Sequence, residues 1–177
     1  MLASGLFYSK LSYCLPLFTT SWGLDSYKEE ATRFTTFTKE DNRKLQVLQN
    51  QVCRLLLPRK ELADSYYYKQ NLSTEELLTK TETLSIHQLG AQSTLVMAKK
   101  IIQSGKPSYL AEKLSPRSFS GRSGTSIKQP SASLTLSREG FLYRSSKLYN
   151  LLPEELRTET KITVFKRKLL RLKFELL

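Results

Sequence analysis

The sequence is short of the side chains that carry most enzyme chemistry. It holds one histidine, two cysteines and three aspartates (Asp25, Asp41 and Asp64), and no two aspartates are adjacent. With His87 alone and no cysteine pair in ligand spacing, no zinc set can be assembled, and no metal or other cofactor is expected. His87 reads as an ordinary helix residue among apolar neighbours. Cys14 and Cys53 both lie in apolar stretches, as buried free thiols of a reducing compartment do. There is no Gly-x-Ser-x-Gly elbow and no acidic pair set in an apolar strand. The stretch KKIIQSGKPS has Lys100 where a phosphate loop needs its first glycine and Pro107 where it needs Ser or Thr. Gly121-Arg122-Ser123-Gly124 has the outline of a Gly-x-x-Gly backbone clamp, but serine and glycine surround it in place of the two helices such a clamp requires. No set of nucleophile, base and electrophile emerges, so an independent enzyme is not expected.

Long apolar runs are missing as well. No stretch reaches the roughly 18 uninterrupted apolar residues of a spanning helix. The opening MLASGLFYSKLSYCLPLFTTSWGL has no basic first segment, Lys10 interrupts its apolar run, and no small-residue cleavage site follows, so it does not read as a signal peptide. The expectation is an intracellular protein, of nucleus or cytoplasm, not embedded in a membrane.

Positive charge is what the chain has in excess. Its 177 residues carry 28 Lys and Arg against 16 Asp and Glu, a net of +12. Residues 1–114 hold 15 basic and 11 acidic side chains; residues 115–177 hold 13 and 5, so two-thirds of the excess sits in the last third. Such a balance favours polyanionic partners, nucleic acid or an anionic membrane surface.

Periodicity predicts a mainly α protein, an irregular helical bundle. Residues 2–18 place Leu2, Leu6, Tyr13 and Leu17, and also Phe7, Leu11, Cys14 and Phe18, at helical spacing, with Pro16 near the end. A long loop carrying Trp22 follows. The next helix is expected from Thr38 to about Leu57, stopped by Pro58, with an apolar stripe of Leu45, Leu48, Val52, Leu55 and Leu56. Ser73 with Glu76 forms a capping-box pattern ahead of TEELLTKTETL. SIHQLGAQSTLVMAKKIIQSG is a further helix, ended by Gly105 and Pro107, and PSYLAEKL a short one. Residues 115–140 contain eight serines, three glycines and two prolines, and 115–132 are expected to form a flexible basic loop. ASLTLSREGFLYRSS alternates as a small β-hairpin would, near 133–144 and turning at Arg138–Gly140. Pro153-Glu154-Glu155 opens a short helix, and a last helix sets Ile162, Phe165, Leu169, Leu172 and Leu176 at spacings of three and four. These give a helical region over 1–114, the loop over 115–132, and a hairpin plus basic helix over 133–177 that packs back on the first region as one domain.

Two features point to nucleic acid. Tyr66, Tyr67 and Tyr68, flanked by Lys60 and Lys69, could stack bases beside phosphate-neutralising lysines, or could pack on the core. In the last helix Lys166, Arg167, Lys168, Arg171 and Lys173 fill the positions between the apolar rungs, so one face can dock on the protein while the other meets water or phosphate. Its low aromatic content suits a membrane surface less well.

Three blocks in order resemble the region downstream of the catalytic core in reverse transcriptases of non-LTR retrotransposons. LFYSKLSYCLPLFTTSWG is similar to that family's helix leading to an aromatic-Gly pair, and RKLQVLQNQVCRLLL to its LQ-x-x-Q-N helix. LSREGFLYRSSKLYNLLPEELR with FKRKLLRL is similar to its closing block, an Asn-x-Leu-Pro turn and a basic Phe-Lys helix. The likeness spans nearly the whole chain. That family's polymerase uses paired aspartates, and this sequence has no Asp-Asp, so the resemblance implies thumb-side and post-thumb helices that cradle nucleic acid, with no catalytic residue. The residues expected to meet phosphate are Arg43, Lys44, Arg54, Lys166, Arg167, Lys168 and Arg171, as positioning cations. The partners expected are RNA or DNA, bound without sequence preference. The alternatives are a helical interaction module that packs on a polymerase core or another protein, and an inert transposon remnant.

Overall fold

The computed structural model of the protein describes Gly5, Ser9 and residues 39–57, 72–118, 125–131 and 140–172. Within them the fold is mainly α. The elements are α1 (Lys39–Leu56), α2 (Thr74–Lys80), α3 (Ile86–Ser104), α4 (Ser108–Lys113), β1 (Pro116–Ser118), β2 (Thr125–Ile127), α5 (Phe141–Leu151), α6 (Glu154–Arg157) and α7 (Ile162–Arg171).

The helix boundaries follow local chemistry. Ser73 and Glu76 close the expected capping box on α2: the Ser73 hydroxyl accepts from the Glu76 N–H, and the Ser73 N–H donates to the Glu76 carboxylate at 2.8 Å. The Ser73 N–H first, and the Ser73 hydroxyl donating to the same oxygen at 2.9 Å second, hold the Glu76 carboxyl below its ordinary value. The helix ends sooner than the pattern TEELLTKTETL suggests. Glu82 turns left-handed (φ 50), Thr83 N–H donates to the Leu78 carbonyl and Glu82 N–H to that of Thr79, which is a Schellman closure. Ser85 and Gln88 then form a second capping box at the start of α3. Gly105, at φ 66, ends that helix with its N–H on the Ile101 carbonyl, so the Gly105–Pro107 stop stands as expected.

Two apolar clusters form among the described residues. The smaller joins α1 to α2 through Cys53, Leu57, Leu72 and Leu77. The larger is built on α3: Leu95, Ala98 and Ile101 meet Leu148, Tyr149 and Leu152 of the α5 region, Leu156 of α6, and Phe165 and Leu169 of α7, with Leu114 and Ile127 closing it. Ser145 and Ser146 are fully buried on α5, which packs against α3. Each hydroxyl donates back along its own helix, Ser145 to the Leu142 carbonyl and Ser146 to that of Tyr143, so neither is left unsatisfied in the core.

Three expectations are corrected. The second strand of the hairpin expected near 133–144 gives way to helix over Phe141–Arg144, because Arg144, Ser145, Leu148 and Tyr149 recur at helical spacing and are buried in the core; residues 133–139 lie outside the described residues. That tertiary face outweighs the weak alternation of the sequence. The β-pairing lies instead inside the serine-rich stretch expected to be flexible, as an antiparallel ladder of Pro116 with Ile127, Arg117 with Ser126 and Ser118 with Thr125. Ile127 explains it: its side chain enters the core and its main chain is held by Asn150.

The third correction concerns α1. The expected stripe is not the buried one: Leu48 is 48% and Leu55 75% exposed, while Gln49, Cys53 and Leu57 face inward at i, i+4 and i+8. Polar bonds decide the rotation. Gln49 donates to the Leu84 carbonyl at 2.7 Å, Asn50 to the Thr74 hydroxyl at 2.9 Å, and the Cys53 thiol meets the Thr83 hydroxyl at 3.5 Å. Of the expected first helix only Gly5 and Ser9 are described, and both are helical; the Trp22 loop, the Tyr66–Tyr68 triplet, the segment Gly121–Gly124, and Lys173 and Leu176 of the last helix lie outside the described residues.

Candidate nucleic-acid interface

α7 is amphipathic, as its sequence promised. Phe165 and Leu169, one turn apart, are fully buried, and Ile162 and Leu172 are partly buried beside them. Burying the two side chains contributes about 1.5–3 kcal/mol each. Lys166, Arg167 and Lys168 are all exposed. At about 100° per residue Arg167 stands opposite the buried face, and Lys166 and Lys168 border it on either side. Leu170 lies exposed among these cations. Arg171 is the last residue of the helix.

The helix is fixed to the body by its own approach segment. Lys99 of α3, only 5% exposed, reaches beneath the α6–α7 junction, where its Nζ donates to the Arg157 carbonyl at 2.7 Å. The Tyr149 hydroxyl donates to the same carbonyl at 2.9 Å. The Lys99 ammonium also lies 5.8 Å from the Tyr149 ring and 5.6 Å from the Phe165 ring, within cation–π range. One turn on, Gln103 donates to the Thr160 carbonyl. Burial lowers the Lys99 pKa, partly offset by the Glu159 charge, and burial raises that of Tyr149, partly offset by Arg157. A full charge in this place needs partners, and the carbonyl and two ring faces supply them.

Lys168 has a counterion. Its Nζ lies 2.9 Å from Glu159 Oε2, and the side chains are 45% and 16% exposed. Glu159 Oε1 also accepts from the Lys161 N–H at 3.2 Å. The Lys168 hydrogen bond first, and the Lys161 N–H second, hold the Glu159 carboxyl below its usual range.

The cations named from the sequence form two groups. Arg43 and Lys44 are exposed on the first half of α1, with Arg43 3.9 Å from Glu40, and Arg54 is half-buried near its end. α1 is tied to the beginning of α3 through Gln49 and Leu84, whereas the α6–α7 segment is tied to its last turns through Lys99 and Gln103. Between Ile86 and Lys99 lie about 20 Å of helix at 1.5 Å per residue. Lys166, Arg167 and Lys168 therefore share one element, and the α1 cations belong to another anchor. Among the described residues no three His, Cys, Asp or Glu side chains gather in a metal-binding group, and no helix is long and apolar enough to cross a membrane.

Two residues that hold these elements together were given no role from the sequence. Asn150 holds the ladder to α5, and its place in LYNLLP was the available signal. Lys99 carried no signal: in a pair with exposed Lys100, nothing local shows which lysine turns inward. Comparisons with known protein families, with curated proteins and with solved structures find no match.

Proposed function

We propose that the chain is a noncatalytic nucleic-acid-binding segment of the kind that follows the polymerase core in non-LTR retrotransposon reverse transcriptases. The observation that carries this reading is the triplet Lys166-Arg167-Lys168, exposed on a helix whose other face is locked by Phe165 and Leu169. Cations on a fixed scaffold meet phosphate without first ordering a loop, and they position a backbone without reading its bases. The three sequence blocks in order, the absence of Asp-Asp and the net charge of +12 support the same reading. Binding is expected to both structured RNA and duplex DNA. Fluorescence anisotropy with each at low salt tests it: Lys166→Ala/Arg167→Ala should weaken both, and equal affinity for the variant and the parent would reject the reading.

A second reading has its own observation. The outward Leu48 and Leu55 of α1, with Val47 also exposed, form an apolar surface that nothing among the described residues covers. A helical module that packs on a protein partner would use that surface and leave the α7 cations solvated. Absence of nucleic-acid binding at low salt would favour it.

A further inference from the structure

The contact between Glu159 and Lys168 occupies one of the cations that the proposed interface would offer. On the reading that α7 meets phosphate, we propose that Glu159 is an internal competitor: its carboxylate holds Lys168 in the free chain and yields it to a phosphodiester when nucleic acid binds. The geometry permits the exchange without disturbing the core. Lys168 lies on the border of the cationic band and its side chain is 45% exposed, so the ammonium can turn to solvent while Phe165 and Leu169 stay seated. Glu159 does not depend on Lys168 for its place, because the Lys161 N–H holds its other oxygen at 3.2 Å. A phosphate oxygen replaces a carboxylate oxygen in the same kind of charge-assisted bond.

The exchange has a signature in salt dependence. A free lysine that meets a phosphate adds about 0.9 to the slope of log K against log salt, through release of a condensed counterion. Lys168 leaves a carboxylate behind, and the uncovered Glu159 attracts a cation of its own. Its net contribution is therefore well below that of Lys166 or Arg167.

Glu159→Gln tests this, since the amide keeps an oxygen for the Lys161 N–H and removes the charge. Glu112→Gln, at an exposed site on α4, changes net charge equally and serves as the control. With labelled duplex RNA and the full chain, Glu159→Gln should bind several-fold more tightly than Glu112→Gln at low salt, with a slope steeper by about one. Lys168→Ala should alter binding little in the parent and by several-fold more in the Glu159→Gln background. Equal behaviour of the two glutamine variants, or the same Lys168→Ala factor in both backgrounds, overturns the proposal. Should Glu159→Gln fail to fold, the slope of Lys168→Ala alone decides: a drop of about one marks Lys168 as an ordinary free contact and rejects the competition. If Lys166→Ala and Arg167→Ala weaken binding while Glu159→Gln matches its control, only the competition fails. If the parent chain shows no salt-dependent binding, the reading beneath it fails too.

Discussion

Asn150 and Ile127 are joined twice: the Asn150 side-chain NH2 donates to the Ile127 carbonyl at 2.9 Å, and the Ile127 N–H donates to Asn150 Oδ1 at 2.8 Å. A side-chain amide thus stands where a third strand would stand, and it satisfies the outer edge of a ladder only three residues long. The same contact seats the Ile127 side chain in the core between elements far apart in sequence.

Asn150→Ala should therefore destabilise the chain by about 2–3 kcal/mol, because two main-chain groups lose their partner together. Asn150→Asp keeps the acceptor, loses the donor and sets a charge beside a carbonyl, so it should not restore stability. Urea denaturation of the three proteins checks both statements.

At Glu82 the turn after α2 holds a non-glycine residue left-handed, at φ 50. That conformation costs an L-residue about 1 kcal/mol or more, and glycine relieves it. Glu82→Gly should raise stability by about 0.5–1 kcal/mol. A lower melting temperature would show that the Schellman closure is not formed in solution.

Alkaline pH should act on two groups with opposite signs. The Lys99 pKa is lowered from 10.5, so between its folded value and 10.5 the unfolded chain binds more protons and stability rises with pH. The Tyr149 pKa is raised from 10.0, so above 10.0 the folded chain retains the proton that the unfolded chain loses, and stability falls. Lys99→Met should remove the rising limb and leave the fall, while Tyr149→Phe should do the reverse. Denaturation midpoints for the parent and both variants across pH 8 to about 11 resolve the two contributions.

Much of the helical outline was legible because its signals are local. Ser73 with Glu76, Gly105 with Pro107, and the Phe165–Leu169 spacing each act within one or two turns. What was not legible depends on distant partners. The rotation of α1 is set by Gln49 reaching a carbonyl 35 residues away, which outweighs a run of leucines that looked like the core face. Phe141–Arg144 is helical because Leu148 and Tyr149 of the same helix pack in the core with Leu95, Ala98 and Ile101 of α3, while the nearby sequence alternates as a strand would. The α7 cations were found for the same local reason as the helix itself. That Lys168 has a counterion depends on Glu159, nine positions earlier and beyond the reach of any helical periodicity.

The corrected orientation of α1 is open to test. Leu48→Lys and Leu55→Lys should each change stability by no more than about 0.5 kcal/mol, as surface substitutions do. Leu57→Ala and Leu77→Ala, which hollow out the smaller cluster, should each remove about 2–4 kcal/mol. The opposite ranking would restore the leucine stripe to the interior.

The most direct test of the proposed phosphate-binding role is the slope of log K against log salt for duplex RNA, measured for the parent chain and for Lys166→Ala/Arg167→Ala with thermal melts alongside. Two lost phosphate contacts should flatten the slope by about 1.8 and shrink the fall in affinity between 50 and 200 mM salt by about tenfold, with the melting temperature unchanged. Parallel slopes for the two proteins, at equal stability, would contradict the account and leave α7 a packing helix whose cations face only water.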